Sequence, residues 1–345
     1  PEFTIIALPD TQHYSEAFPA IFTSQTQWIK DNKAARNIVF VTHEGDIVQN
    51  AGTVSEWIAA NQSMSILDGV VPYGMAPGNH DEPSGNYNIY FPWTRYDGLP
   101  WYGGHYQTLN DNNYQFFSGG GMDFVIVHLD FCPTTAVVAW GNSILNSFPD
   151  RIGMMTTHAY LNTSAQRTTH VCGDTQYLWD GLVPTTPNLH FMLSGHVHGE
   201  GRRTDIANGH PVYQMLADYQ DRSSGGEGWL RILRFVPADD RVYVQTYSPW
   251  LNAFESDADS EFSLDFPMAG AFANVGTTSV SSGATASISP AGLLPNTEYE
   301  WQVTVTNAQG KIQTSPVWRF TTSTGPPVDA PPVAVPDAYS MHTGN

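Results

Sequence analysis

Apolar runs alternate with helix-like stretches from the start of the chain to about residue 250. The first run, Phe3–Leu8, is strand-like, and a helical stretch from Ile21 to Ala34 separates it from a second strand, Asn37–Thr42. Thr53 followed by Glu56 has the spacing of a capping box and predicts a second helix. Further strands are predicted at Val71–Ala76, Asp123–Leu129, Ile152–Thr156, Leu189–Leu193, Pro211–Leu216, Trp229–Val236 and Arg241–Tyr247. Strands that alternate with helices indicate an α/β architecture, in which functional loops follow the carboxyl ends of strands.

The segment Gly85–Gly121 interrupts this pattern. It is crowded with tyrosine, tryptophan, asparagine and glycine and has no helical periodicity. A long aromatic insertion of this kind is more often part of a binding rim than of a core. We therefore expect the segment to border a binding site.

The composition changes after about residue 267. Serine, threonine, alanine and glycine become frequent, and the stretch Gly292–Trp301 leads into short alternating strands that close at Val317–Phe320. From Ser323 onward the chain is rich in proline, which is typical of an extended linker. The sequence thus predicts an α/β domain over residues 1–266, a small all-β domain over 267–322 and a linker or tail over 323–345.

Charge narrows the range of partners. The 345 residues include 33 acidic and 14 basic side chains, for a net charge of −19, and only three lysines. Such a field repels a phosphate backbone, so we expect no duplex nucleic acid as partner. No apolar run approaches the roughly 20 residues of a membrane helix, so no membrane insertion is expected. An anionic substrate would need local positive charge, which bound cations can supply.

Five short motifs follow predicted strands and carry metal-ligand chemistry. They are Asp10-Thr11-Gln12-His13, Gly45-Asp46, Gly78-Asn79-His80-Asp81, Thr157-His158 and Gly195-His196-Val197-His198. Carboxylate, imidazole and carboxamide groups suit Mn²⁺, Fe or Zn²⁺, and the motifs contain no thiolate of the kind that structural zinc sites use. Each motif alone is weak, but together they supply ligand types for two metal ions.

The order of these motifs resembles that of the calcineurin-like metallophosphoesterases, over roughly residues 3–265. The resemblance implies a four-layer α-β-β-α sandwich with a dinuclear metal site along one edge, and it makes residues 1–266 the metallophosphoesterase domain. Carried over by position, Asp46 bridges both metals, the first metal takes Asp10, Gln12 and His198, and the second takes Asn79, His158 and His196. In the same pattern His80 is a general acid or a transition-state donor, and Asp81 orients it.

One position departs from the commonest form of the family pattern, which has histidine where this chain has Gln12. A carboxamide oxygen is a harder and weaker ligand than imidazole and would favour Mn²⁺ or Fe over Zn²⁺. A start of the form Asp-x-Gln also occurs in members that resemble manganese-dependent diphosphatases. His13 is the rival ligand; we favour Gln12 because residues i and i+2 point the same way on an extended chain.

The resemblance implies a phosphoric ester hydrolase acting on a small-molecule phosphate ester. Two divalent ions would lower the pKa of a shared water, and the resulting hydroxide would attack phosphorus in line with the leaving group. We expect phosphodiesters as substrates because His80 could protonate a poor leaving group and the aromatic insertion could frame a second ester arm. The alternatives are a phosphomonoesterase of the same fold and a non-catalytic extracellular binding or adhesion protein.

The C-terminal β module resembles the later part of a fibronectin type III domain through its stretches Gly292–Trp301 and Trp318–Thr322. With the tail, this resemblance suggests a modular bacterial protein that is secreted or displayed at the cell surface, where the module would contact the surface or a polysaccharide. Two cysteines, Cys132 and Cys172, permit one disulfide or none; their even number and an extracellular location favour pairing.

Overall fold

The computed structural model describes residues 1–82, 84–268, 275–307, 312–315 and 318–323. The chain divides into two compact units, Pro1–Ala269 and Gly270–Asn345. The domain bounds at 266 and 322 remain predictions. Apart from Ser323, the proline-rich tail lies outside the described residues.

Two mixed sheets of seven strands each dominate the larger unit. Its strands are β1 (Phe3–Leu8), β2 (Ile38–His43), β3 (Tyr73–Met75), β4 (Tyr102–His105), β5 (Asn113–Gly119), β6 (Met122–Leu129), β7 (Ile152–Thr157), β8 (Leu189–Ser194), β9 (Gly199–Ala207), β10 (His210–Asp218), β11 (Leu230–Val236), β12 (Arg241–Ser248), β13 (Ala253–Glu255) and β14 (Glu261–Asp265). The first sheet has the order β13-β12-β11-β1-β2-β3, with β14 also paired to β12, and the second has the order β4-β5-β6-β7-β8-β10-β9.

Helices connect the parallel strands. They are α1 (Gln12–Ala17), α2 (Pro19–Asn32), α3 (Val54–Met64), α4 (Tyr87–Tyr90), α5 (Thr135–Ser147) and α6 (Gln176–Leu182), with 3-10 turns at Ser65–Leu67, Trp93–Arg95 and Val183–Thr185 and a short kinked turn at Ser223–Gly226. The predicted mixed α/β fold is confirmed, because helices join the parallel pairs β1-β2, β2-β3, β6-β7 and β7-β8. The parallel pair β8-β10 is joined through β9 instead.

Strand β1 explains why the apolar runs are continuous rather than alternating. Its six residues are all buried, but they serve two cores. Phe3 and Ile5 pack into the core between the two sheets, whereas Ile6 and Leu8 pack against side chains of α2 and α3. A strand covered on both faces needs apolar residues at every position.

The second sheet repeats this arrangement. In β6, Phe124 and Ile126 face the core between the sheets, and Val125 and Val127 pack with residues of α5 and α6. The layers of the larger unit therefore follow the order helices, sheet, sheet, helices. This order leaves only the ends of the strands free to carry functional loops.

Several aromatic side chains of the insertion pack into the core, and its role as the border of a binding site stays a prediction. Tyr87, Phe91 and Tyr96 are buried, and Trp57 of α3 packs on Tyr87 and Phe91 with ring centroids 6.4 Å apart in both cases. The end of the insertion forms β4 and β5, which extend the second sheet. Its aromatic rings thus fill space between distant elements, which a local pattern does not reveal.

The hydrogen bonds of the capping box predicted at Thr53 do not form. Helix α3 does begin after Thr53, but the threonine side chain makes no capping hydrogen bond. Glu56 instead accepts hydrogen bonds from the backbone N–H groups of Gln49 and Asn50, at 2.9 and 2.8 Å. The glutamate therefore anchors the loop that follows β2, close to the candidate site.

A disulfide joins Cys132 to Cys172, so the two cysteines pair as expected. It links the loop after β6 to the segment before α6. Among the described residues, no helix is long and apolar enough to cross a membrane.

The smaller unit contains two antiparallel strand pairs in its described part. They are β15 (Glu298–Trp301) with β18 (Trp318–Thr321), and β16 (Thr304–Thr306) with β17 (Ile312–Thr314). In the first pair, Trp301 lies opposite Trp318 with ring centroids 4.6 Å apart. The similarity to a fibronectin type III domain remains a prediction.

Acid should destabilise the fold through His128, which is buried between the sheets and bonded to Thr42. Burial, and to a lesser extent His43, lower the pKa of His128 to about 3. The unfolded chain takes up this proton below about pH 6.5, so the folded state loses stability as the pH falls from there. Between pH 7 and 5, the loss from this one group is about 2 kcal/mol.

The measurement is the urea-unfolding free energy at pH 7 and pH 5, followed by tryptophan fluorescence. The drop should be about 2 kcal/mol smaller in His128→Gln than in the wild type. An equal drop in both proteins would contradict the assignment of a neutral, buried imidazole.

Candidate metal centre

The topology brings the predicted ligand loops of both sheets to one edge. Asp10 and Asp46 follow the parallel strands β1 and β2, and His158 and His196 follow the parallel strands β7 and β8. Because parallel strands end on the same side of their sheet, the ligand loops of each sheet lie at one edge. Two contacts show that these two edges adjoin. Oδ2 of Asp46 lies 3.1 Å from Nε2 of His158, and the backbone N–H of His196 lies 3.3 Å from Oδ1 of Asp10.

His158 is the centre of the cluster and is fully buried. Its Nδ1 donates to the backbone carbonyl of Glu44 at 3.0 Å. Its Nε2 faces three side-chain atoms, Oδ2 of Asp46, Oδ1 of Asn79 and Nδ1 of His196, each at 3.1 Å. Ligand atoms around an octahedral ion at about 2.1 Å lie about 3.0 Å apart. The spacing therefore fits a coordination sphere.

The chemistry of these atoms calls for a positive charge between them. Since the Glu44 carbonyl can only accept, Nδ1 of His158 carries a proton, and Nε2 of the neutral ring presents a lone pair to the oxygens of Asp46 and Asn79. A proton on Nε2 meets this need in part: burial lowers the pKa of His158, but the Asp46 carboxylate raises it, with a net rise. A divalent cation would satisfy all of the lone pairs at once, so the residues present fit a metal ion.

The backbone adopts costly conformations to bring these ligands together. Asp46 and His196 have left-handed φ angles of 50° and 69°, which L residues rarely adopt and which concentrate at functional sites. Gly78 must be glycine, because a Cβ there would lie 2.1 Å from Oδ1 of Asp46, and a Cβ on Gly45 would lie 2.7 Å from Nδ1 of His158.

Two buried carboxylates add negative charge at the same edge. Burial raises the pKa of Asp10, and the charges of Asp218 and Asp46 raise it further. Burial also raises the pKa of Asp46, but the charge and hydrogen bond of His158 outweigh that effect and lower it overall. Asp46 is thus the carboxylate that this environment keeps ionised.

A family model described as calcineurin-like phosphoesterase matches residues 3–200, which include every predicted ligand from Asp10 to His198. The chain belongs to the calcineurin-like phosphoesterase family. The chain is also 36% identical, over 355 aligned residues, to the uncharacterized protein YvnB of Bacillus subtilis (strain 168). That alignment covers 93% of this chain but 27% of the other protein, so the chain spans about a quarter of the length of this curated relative.

Solved structures share the fold at low sequence identity. A dimetal phosphatase from Danio rerio matches with a TM-score of 0.52 and 11% identity, covering 76% of this chain and 99% of the other. Purple acid phosphatase PPD1 from yellow lupin (Lupinus luteus) seeds matches with a TM-score of 0.52 and 15% identity, covering 82% of this chain and 57% of the other. At such identities, the match establishes the fold alone.

Gln12 and His13 are the two candidate metal ligands near the start of the chain. The environment of Gln12 is the better suited to a metal ligand. Its side chain is buried, and its Oε1 has no hydrogen-bond partner among the described residues. His13 is partly exposed and bonds to Glu16 at 3.0 Å. The argument from an extended chain was nevertheless wrong, because α1 begins at Gln12 and the segment is helical there.

His198 is the most exposed of the predicted ligands, and its role stays a prediction. Its side chain is 46% exposed, and its Nδ1 lies 2.5 Å from Oδ2 of Asp221. Its Nε2 accepts from the side-chain amide of Gln220 at 2.6 Å and lies 3.9 Å from Oδ2 of Asp218. The loop after β10 therefore determines where this imidazole points.

His80 is held with one defined nitrogen available. Its backbone N–H donates to Oδ1 of Asp46 at 2.9 Å, and its Nδ1 donates to the backbone carbonyl of Gln49 at 2.8 Å. Because that carbonyl fixes the proton on Nδ1, Nε2 is the atom that can release or accept a proton.

The family pattern suggested that Asp81 orients His80, but the two side chains share no hydrogen bond among the described residues. Its carboxylate accepts hydrogen bonds at 2.7 to 3.1 Å from the backbone N–H groups of Ile47, Val48 and Gly78. The side chain thus joins the loop after β2 to the loop after β3 and positions Asp46, which lies next to Ile47.

Several residues at the edge were not predicted. The ring of Phe131 packs on His158 and His196, with centroids 5.7 and 5.5 Å away. Asp218 and its neighbours reach His198. Phe131 follows β6, and Asp218 ends β10. Their position at the carboxyl ends of these strands could have identified them as site residues.

Replacing Asp81 by alanine should destabilise the protein, because three buried N–H groups lose their acceptor. We expect a loss of about 3 kcal/mol or more in the unfolding free energy of the metal-free protein, measured in urea. Asp31→Ala, on the exposed part of α2, is the matched control and should cost less than about 0.5 kcal/mol. Unchanged stability in Asp81→Ala, with activity lost, would instead favour a direct role for this carboxylate.

Proposed function

We propose that this chain hydrolyses phosphodiesters at a centre of two divalent metal ions. The observation that carries the proposal is the convergence of Asp46, Asn79 and His196 on Nε2 of His158, each at 3.1 Å. Membership of the calcineurin-like phosphoesterase family supports ester hydrolysis. The Danio rerio protein of similar fold is named a dimetal phosphatase, which favours a pair of ions over one.

The proposed ligands form two sets that share Asp46. One ion would be held by Asn79, His158 and His196, and the other by Asp10, Gln12 and His198. The carboxamide oxygen of Gln12 favours Mn²⁺ or Fe over Zn²⁺. When bound, the ions supply Lewis acidity toward a phosphoryl oxygen and a source of hydroxide at neutral pH.

His80 acts on the leaving group in this proposal. Its Nδ1 is engaged by the Gln49 carbonyl, and its backbone is tied to Asp46. The imidazole is therefore anchored beside the shared ligand. In its doubly protonated form it would give the Nε2 proton to the departing oxygen and become a neutral ring whose Nδ1 proton stays bonded to the Gln49 carbonyl. Such a proton transfer is worth about 10²- to 10⁴-fold in rate when the leaving group is a poor one.

Negative charge near the site favours a diester over a monoester. The pKa of Glu82, two residues after His80, is raised to about 7 by burial and by the carboxylates of Asp130 and Asp111. Asp130 adjoins Phe131, whose ring packs on both His158 and His196. A phosphodiester carries one negative charge where a monoester carries up to two, so the ionised fraction of these carboxyl groups repels a diester less.

We propose an extracellular or cell-surface location for the protein. The chain has a disulfide, Cys132–Cys172, and disulfides persist in oxidising compartments. In such a setting the C-terminal β module would contact the cell surface or a polysaccharide.

The substrate class can be tested with Mn²⁺-loaded full-length chain. We expect kcat/KM for bis(p-nitrophenyl) phosphate to exceed that for p-nitrophenyl phosphate. Asp46→Ala should reduce both by at least about 10³-fold, because both ions lose a ligand, whereas Asp31→Ala should retain wild-type rates. A monoester preference would make the chain a phosphatase, and turnover of neither ester by the wild type would favour a non-catalytic binding protein.

The role of His80 can be isolated by varying the leaving group. His80→Gln should lower kcat for an alkyl phosphodiester, whose alkoxide needs a proton, by about 10²-fold or more. The loss for a p-nitrophenyl diester should be much smaller, because p-nitrophenolate departs without protonation. His170→Gln, at an exposed position, serves as the control; equal losses on both substrates would contradict the general-acid role.

A further inference from the structure

The loop after β10 carries a buried carboxylate at the ligand edge that the family pattern does not include. Asp218 is the last residue of β10, which pairs in parallel with β8. The loops after both strands therefore lie at the same edge, and Oδ2 of Asp218 is 3.9 Å from Nε2 of His198. The family model matches only as far as residue 200, so Asp218 lies outside the matched segment.

One oxygen of this carboxylate has no partner. Asp218 is 1% exposed, and its Oδ1 accepts from the backbone N–H of Gln220 at 2.9 Å. Its Oδ2 is buried and has no hydrogen-bond partner among the described residues, and the same holds for Oε1 of Gln12. Burial of an unsatisfied carboxylate oxygen is costly unless a cation neutralises it.

The neighbouring Asp10 carboxylate increases the free-energy cost of burying the Asp218 charge. Of the charged groups around Asp10, Asp218 raises the pKa of Asp10 most. Among the described residues, Asp218 forms one ion pair, with His198 at 3.9 Å. The two buried carboxylates therefore repel each other at an edge where the described side chains provide little compensating positive charge.

The neighbours of Asp218 prepare His198 as a ligand. Nδ1 of His198 lies 2.5 Å from the Asp221 carboxylate, which can only accept, so Nδ1 carries the proton. Nε2 then has the lone pair, which accepts from the Gln220 amide in this structure and which a metal ion would take instead. A carboxylate on the far nitrogen is the usual support of a metal-binding histidine. Nε2 lies on the side of the ring where Asp218 and Gln220 are found.

We propose that Asp218 is an additional ligand of the metal ion held by Asp10, Gln12 and His198. This inference rests on the proposed function, since it requires the ion at that position. A carboxylate there supplies the charge that the neutral carboxamide of Gln12 cannot, and the ion removes the repulsion between Asp10 and Asp218. The loop after β10 is then part of the metal centre.

The test compares Mn²⁺ binding by the metal-stripped full-length wild type, Asp218→Asn and Asp218→Glu, using isothermal titration calorimetry. The wild type should bind two equivalents. Asp218→Asn should bind one equivalent with unchanged affinity and the other at least about tenfold more weakly. Asp218→Glu, which restores a carboxylate, should recover part of the affinity. Asp31→Ala serves as the control.

The midpoint temperature of thermal unfolding distinguishes a metal-ligand role of Asp218 from a purely structural one. Without metal, Asp218→Asn should melt at or above the wild-type temperature, because a buried repulsive charge is gone, and the stabilisation by Mn²⁺ should be smaller than in the wild type. Two equivalents bound by Asp218→Asn with wild-type affinity would overturn this inference alone, as would a metal-free midpoint well below that of the wild type. A wild type that binds no Mn²⁺ would overturn the proposed function and this inference together.

Discussion

The buried carboxylates at the shared edge of the two sheets need positive charge, and the rest of the site is arranged around that need. Asp10, Asp46 and Asp218 are each at most 2% exposed. In the described residues, the nearest groups able to carry positive charge are the imidazoles, above all His158 beside Asp46. A divalent cation would resolve this electrostatic conflict and would also attract an anionic ester to a chain whose net charge is −19.

The fold makes this concentration of charge possible. Strand β1 is apolar on both faces, so it is fixed between a helical layer and the second sheet, and its end places Asp10 at the edge. Loop conformations unfavourable for L residues, such as that of Asp46, persist because Asp81 binds the backbone beneath them. The stability of the sandwich thus supports a strained ligand loop, and the ligand loop determines the chemistry that the protein can perform.

Sequence reasoning reached the fold and the ligand loops because both depend on local patterns. The apolar runs Phe3–Leu8 and Leu189–Leu193 predict strands, and the motifs after them predict which loops meet. It failed where the partner lies far along the chain. Phe91 is buried by Trp57 of another element, the Asp81 carboxylate is taken by backbone N–H groups of a different loop, and the orientation of His198 depends on Asp221. Adjacency in sequence, as between His80 and Asp81, was a poor guide to contact.

The central claim is that the edge binds two ions that share Asp46. Anomalous diffraction at the manganese edge, from crystals of the full chain grown with Mn²⁺, tests it most directly. The account predicts two peaks, one contacted by Asp46, Asn79, His158 and His196, and the other by Asp46 and the Asp10 loop. A single peak, or peaks that leave Asp46 uncoordinated, would contradict it.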